Sequence, residues 1–233
     1  MKHPKITIKI NQKLDQNLAW EFYRSPKISG CNFWEERALK YHKKLLEIDL
    51  AKNKKDFLNK YISEFYKFHV IEINKAKKEI VQNFNEKKEE FFLTVDNIFK
   101  KHPWPRNNLT GYLSIFDFCP RFLNSGEFQV FMYDNKNLQL FTIFHEMLHF
   151  IFYDFLQKNF PKDFKKANTE KGKLWDLAEV FNAVIQNTDD FIKLHGKIEN
   201  IGYPDHKDLI LKGKDLWKNN PDLNCWVIEM AKL

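Results

Sequence analysis

Arginine is the scarcest common residue here. The 233-residue chain has only Arg24, Arg37, Arg106 and Arg121, against 34 lysines. Arginine is the preferred side chain for bidentate contacts to bases and phosphates. The formal charge of +7 therefore does not amount to a specific nucleic-acid surface, and none is expected. The surplus of lysine, phenylalanine and asparagine is what A/T-rich codons produce. Cysteine is also sparse: Cys31, Cys119 and Cys225 are odd in number and far apart. That excludes a disulfide scaffold and a zinc ribbon and predicts buried reduced thiols. Seven glycines and eight prolines are too few for a linker-rich or collagen-like chain.

Long apolar runs are missing as well. The N-terminus passes from Lys2, His3 and Lys5 into the alternation of Ile6, Ile8 and Ile10, with no continuous apolar segment of a signal peptide. The stretch 138–156 is apolar but carries His145, Glu146, His149 and Asp154, which disqualifies it as a membrane span. A cytoplasmic protein without membrane attachment is expected. The sequon at Asn108 then carries no meaning. Hydrophobic residues at 43% and charged residues at 30% fit a folded chain long enough for a sizeable core.

Lysine's distribution is more informative than its abundance. Residues 102–135, 137–157 and 174–192 contain none. Exposed surface in this chain would normally carry some, so these windows should form the buried heart. The rest should pack around it with solvated faces. Two regions follow, expected to form one compact unit. Residues 1–101 are an N-terminal strand and a lysine-rich helical scaffold, and 102–233 carry the chemistry.

Periodicity fills in the elements. Residues 5–10 alternate as a strand. Asp15 is placed as the cap of a short helix reaching Tyr23. Asn32 is placed as the cap of a longer one over 33–50, with Trp34, Ala38, Tyr41 and Leu45 at helical spacing. Residues 56–101 lack glycine and proline and carry apolar residues at helical steps, which predicts one or two long amphipathic helices. Pro103 and Pro105 break them. Strands are predicted at 112–118 and 127–133, and helices at 138–157, 173–187, 208–216 and 225–233. The fold class is α+β, mainly helical, with a small mixed or antiparallel sheet.

The chemistry concentrates at His145-Glu146-Met147-Leu148-His149. Histidines four apart share a helix face and can hold one zinc ion, with Glu146 placed beside a water. Thr142, Ile143, Phe144, Phe150 and Ile151 flank the motif without charge. Two imidazoles and a carboxylate buried in such a setting need a partner.

Residues 142–151 fit the extended consensus of the zincin metallopeptidases at every position, and the chain resembles that family. The order of elements over about 100–190 is similar too, whereas the resemblance does not extend to 1–101. The glycine and histidine that continue the metzincin motif are replaced by Phe152 and Phe155. The resemblance is therefore to the gluzincins, which take a glutamate from a following helix as third ligand. Glu179 fills that role here. Asp176, Glu170, Asp189 and Asp190 are the alternatives, and Asp154 lies on the wrong face. Glu179 shares its helix face with Trp175, Asn182 and Gln186. Asn182 or Asp176 is the candidate to orient a ligand histidine.

The resemblance implies a Zn2+ centre of His145, His149 and Glu179, with Glu146 as general base and acid in peptide-bond hydrolysis. It also implies a histidine or tyrosine donor from further along the chain. His195, Tyr203 and His206 are the candidates. The strand at 127–133 would be the edge strand of the cleft, pairing with an extended peptide or protein substrate. Two other readings stay open. One is a non-catalytic interaction protein on the same scaffold, with 56–101 as its working surface. The other is a regulatory protease that cleaves one specific cytoplasmic partner.

Overall fold

A computed structural model describes residues 2–198 and 202–233. The fold is α+β and mainly helical. It opens with β1 (Lys5–Ile10) and α1 (Gln12–Arg24). The short pair β2 (Lys27–Ile28) and β3 (Cys31–Asn32) follows. A π-helical turn (Trp34–Ala38), α2 (Leu39–Tyr41) and a 3-10 helix (Lys43–Leu50) come next. The scaffold helices are α3 (Lys54–Phe68) and α4 (Val70–Ile98). Strands β4 (Asn108–Ser114), β5 (Arg121–Phe122) and β6 (Glu127–Phe131) precede α5 (Lys136–Asn159). The chain ends with α6 (Pro161–Phe164), α7 (Lys173–Ile185), α8 (Asp189–His195), a 3-10 turn (Pro204–His206), α9 (Lys207–Asn219) and α10 (Leu223–Met230). Among the described residues no helix is long and apolar enough to cross a membrane.

The main sheet has the order β1-β4-β6-β5. The first two pairings are parallel and the last antiparallel. Strand β4 starts earlier than expected because Asn108–Leu113 runs in register with Lys5–Ile10. It also ends earlier. The Ile115 amide goes to Asp15 Oδ2 and the Phe116 amide to Ser114 Oγ, so neither is left for a ladder. The position of β6 corrects the edge-strand expectation. Strand β5 lies beside it, with Arg121 opposite Phe128 and Phe122 opposite Glu127, and the Gln129 amide is taken by Pro120 O. Over Glu127–Gln129 that edge is already hydrogen-bonded.

Asp15 does not cap α1. Asn11 does, accepting from the Leu14 amide. Asp15 is buried instead and accepts from Tyr66, Ser114, Ile115 and Gln129. This joins α1, α3, β4 and β6 at one carboxylate. The helix expected over 33–50 is broken at His42, whose backbone leaves the helical region at φ −122°. The break lets its buried ring reach Tyr61 OH and Ile115 O. Asn32 does cap, receiving the Glu35 amide. The long helical stretch divides at His69 into α3 and α4.

Helix α5 is the centre of the core. Fifteen of its residues are buried, from Gln139 to Leu156. It packs against α4, β6, α6, α7 and α8. Helix α7 is covered by α5 on one side and α9 on another, so burial explains why 174–192 has no lysine. Phe181 stacks on Phe152 at 4.1 Å across the α5–α7 contact. The three cysteines are free, but Cys31 and Cys119 are half-buried and Cys225 is exposed on α10. The expectation of buried thiols is corrected accordingly.

Candidate metal centre

Asn135 starts α5 by accepting the Leu138 amide at 3.0 Å. The helix then runs without interruption through 145–149. One turn therefore separates the two imidazoles, which meet edge to face with centroids 4.7 Å apart. Their Nε2 atoms are 3.1 Å apart. Glu179 arrives from α7, with Oε2 at 3.4 Å from His145 Nε2 and Oε1 at 3.4 Å from His149 Nε2. One ligand atom from each of the three residues lies within 4.8 Å of the others. Four-coordinate zinc with bonds of roughly 2.0–2.1 Å places its ligands about 3.4 Å apart, so the donor set fits that ion in both type and spacing. A His145/His149/Glu179 cluster that can hold a metal ion is thus a property of the fold.

The hydrogen bonds around the cluster set the chemistry of its donors. Gln186, on the same face of α7 as Glu179, donates its amide nitrogen to Phe141 O at 2.9 Å. Its oxygen is then left to accept from His145 Nδ1 at 3.0 Å. The Nδ1 proton is thereby fixed, and the Nε2 lone pair faces the cluster. Asn182 donates to the backbone oxygen of His145 at 2.9 Å, which holds the helix rather than the ring. The orienting role expected of Asn182 or Asp176 therefore falls to Gln186. Burial, aided by the Arg121 cation, lowers the His149 pKa to about 3, so this ring is neutral and able to ligate. Burial alone would also lower His145, but Glu179 and Glu146 outweigh it and the net shift is upward. Burial would raise Glu179. The two histidines and Arg121 overcome that and hold it well below the ordinary carboxylate range.

Glu146 points to the same place without joining the cluster. Its Oε2 is buried with no hydrogen-bond partner among the described residues. Burial raises its pKa to about 7, against the pull of His145 and Arg121. It lines a cavity of about 170 Å³ together with His145, Glu179, Arg37, Thr142 and Tyr203.

The other sequence candidates separate cleanly. Tyr203 is on the cavity wall. His206 is not, because its Nε2 is 2.9 Å from Asp176 Oδ1 and its ring packs on Trp175. His195 donates from Nδ1 to Gly196 O and packs on Phe141. Asp176 is engaged by His206, and Asp154 by His102 and Lys158. Asp189 and Asp190 sit in the exposed first turn of α8. Glu170 lines an adjoining hollow of about 140 Å³ but is outside the cluster.

One charged neighbour went unread in the sequence. Arg121 Nη1 is 3.1 Å from Glu179 Oε1. It lies in a turn-rich stretch where periodicity gives no direction. The available signal was a rare arginine inside a lysine-free window.

Comparison with known proteins adds no relative: no protein-family model, curated protein or solved structure matches the chain.

Proposed function

We propose that the chain is a zinc-dependent metallopeptidase that hydrolyses peptide bonds. The observation that carries this reading is the convergence of His145, His149 and Glu179 on one point, with a partnerless Glu146 carboxylate oxygen buried in the same cavity. The resemblance of 142–151 to the zincin consensus supports it independently of the geometry.

Zinc, when bound, supplies Lewis acidity that brings the pKa of a coordinated water towards neutrality. The remaining work falls to the chain. Glu146 takes the proton of the attacking water on its carboxylate and passes it to the departing amine nitrogen. Gln186 keeps His145 in the ligating tautomer. Tyr203, which lines the cavity, is the tyrosine placed to offer its hydroxyl to the oxygen of the substrate carbonyl, where a donor aimed at developing charge is most effective. Glu146, His149 and Glu179 are all buried.

The test is metal content and hydrolysis measured on the same preparations. About one zinc per chain is expected after metal-replete purification. A diverse peptide library should be cleaved by the wild type. Glu146→Gln should keep the zinc and lose the cleavage. A wild-type chain that takes up no transition metal refutes the assignment. Zinc uptake without any Glu146-dependent cleavage would instead favour a non-catalytic interaction protein on this scaffold.

A further inference from the structure

Glu179 is held from behind by β5. Cys119, at φ 45°, and Pro120 turn the chain into this short strand, and pairing opposite Phe128 fixes the position of Arg121. Its side chain is only 10% exposed. Nη1 donates to Glu179 Oε1 at 3.1 Å. Nη2 donates to Tyr153 OH at 2.7 Å and to Thr169 O at 3.2 Å. The tyrosine hydroxyl in turn donates to Thr169 O at 3.0 Å. The guanidinium lies 5.4 Å from the Tyr153 ring centroid. One planar group thus ties α5, the segment before α7 and the carboxylate on α7.

We propose that Arg121 is the positioning residue of the metal centre, holding one oxygen of Glu179 so that the carboxylate stays turned towards both imidazoles. This role rests on the zinc reading above. One effect opposes two others. The cation repels a divalent ion at close range. Against that, a free glutamate side chain must lose rotamer freedom on ligation. Without Arg121, a buried carboxylate would also lack the cation that offsets its desolvation. The fork geometry favours the second pair of effects. A lysine could balance the charge, but only a planar fork meets acceptors on two elements at once.

The experiment compares Arg121→Met, Arg121→Lys and Tyr153→Phe with the wild type. The zinc dissociation constant is read by competition with a chromophoric chelator. The ligand set is read from the visible spectrum of the Co2+-substituted protein. Arg121→Met should weaken zinc binding by about 10- to 100-fold and alter the cobalt bands as Glu179 leaves the ion. Arg121→Lys should fall between it and the wild type. Tyr153→Phe removes one acceptor of the fork but keeps the Arg121–Glu179 pair, and should weaken zinc binding by less than Arg121→Met. Arg121→Met that binds zinc as tightly as the wild type, with an unaltered cobalt spectrum, overturns the role while leaving the metal centre standing. If Arg121→Met does not fold, Arg121→Lys decides, and wild-type affinity and spectrum there overturn the role. A wild-type chain that binds no zinc refutes the metal centre and this role with it.

Discussion

Asp15 tests the electrostatics of the fold far from the metal centre. Its side chain is 1% exposed. Oδ1 accepts from Ser114 Oγ and Gln129 Nε2, each at 2.8 Å. Oδ2 accepts from Tyr66 OH at 2.6 Å and the Ile115 amide at 3.0 Å. All four donors are neutral, and only one is a backbone amide. Burial therefore wins over hydrogen bonding, and the pKa rises from 3.8 to about 6. A raised carboxylate pKa means that the folded state binds the proton more tightly than the unfolded chain. Stability from this site then increases as pH falls through 6 and levels off below 3.8, the reverse of ordinary acid destabilisation. A shift of roughly two units corresponds to about 3 kcal/mol. The assay is urea denaturation of the wild type and Asp15→Asn at steps between pH 7 and pH 4. The amide cannot titrate, and its fixed cost from misdirected N–H groups is independent of pH. The difference between the two proteins should move by about 2 kcal/mol in favour of the wild type as pH falls from 7 to 4. A flat difference, or one moving the other way, would show that the four donors hold the carboxylate ionised and that the burial argument is wrong.

Two further outcomes bear on the core and the site. Phe181→Ala removes a fully buried ring stacked on Phe152 and edge-on to Phe99 and Trp226. It should cost about 3–5 kcal/mol, seen as a lower urea midpoint with an unchanged slope. A loss under about 1 kcal/mol would mean that the α5–α7 seam repacks freely. Tyr203→Phe keeps the cavity wall but removes its hydroxyl. It should lower kcat by about 10²-fold with KM and zinc content preserved, and an unchanged kcat removes Tyr203 from the reaction.

The sequence by itself determined the parts whose physics is local. Histidines four apart on a helix must share a face, so His145 and His149 were legible as a pair, with Glu146 beside them. The period of the apolar residues marked α5 and α7, and the absence of lysine marked both as buried. Glu179 was reached through the resemblance to the gluzincins, and the lack of lysine around it pointed to burial. Other features depend on residues distant in the chain. Asp15 looks like a cap until residues 51 to 114 positions away supply its donors. His42 looks helical until Ile115 O draws its ring inward. Strand β6 looks like an edge until Arg121–Phe122 pairs with it. The tertiary structure alone decided that Gln186 orients His145, that His206 turns to Asp176, and that a lone arginine stands behind Glu179. Hydrogen-bond partners are chosen by proximity in space, which periodicity and composition do not encode.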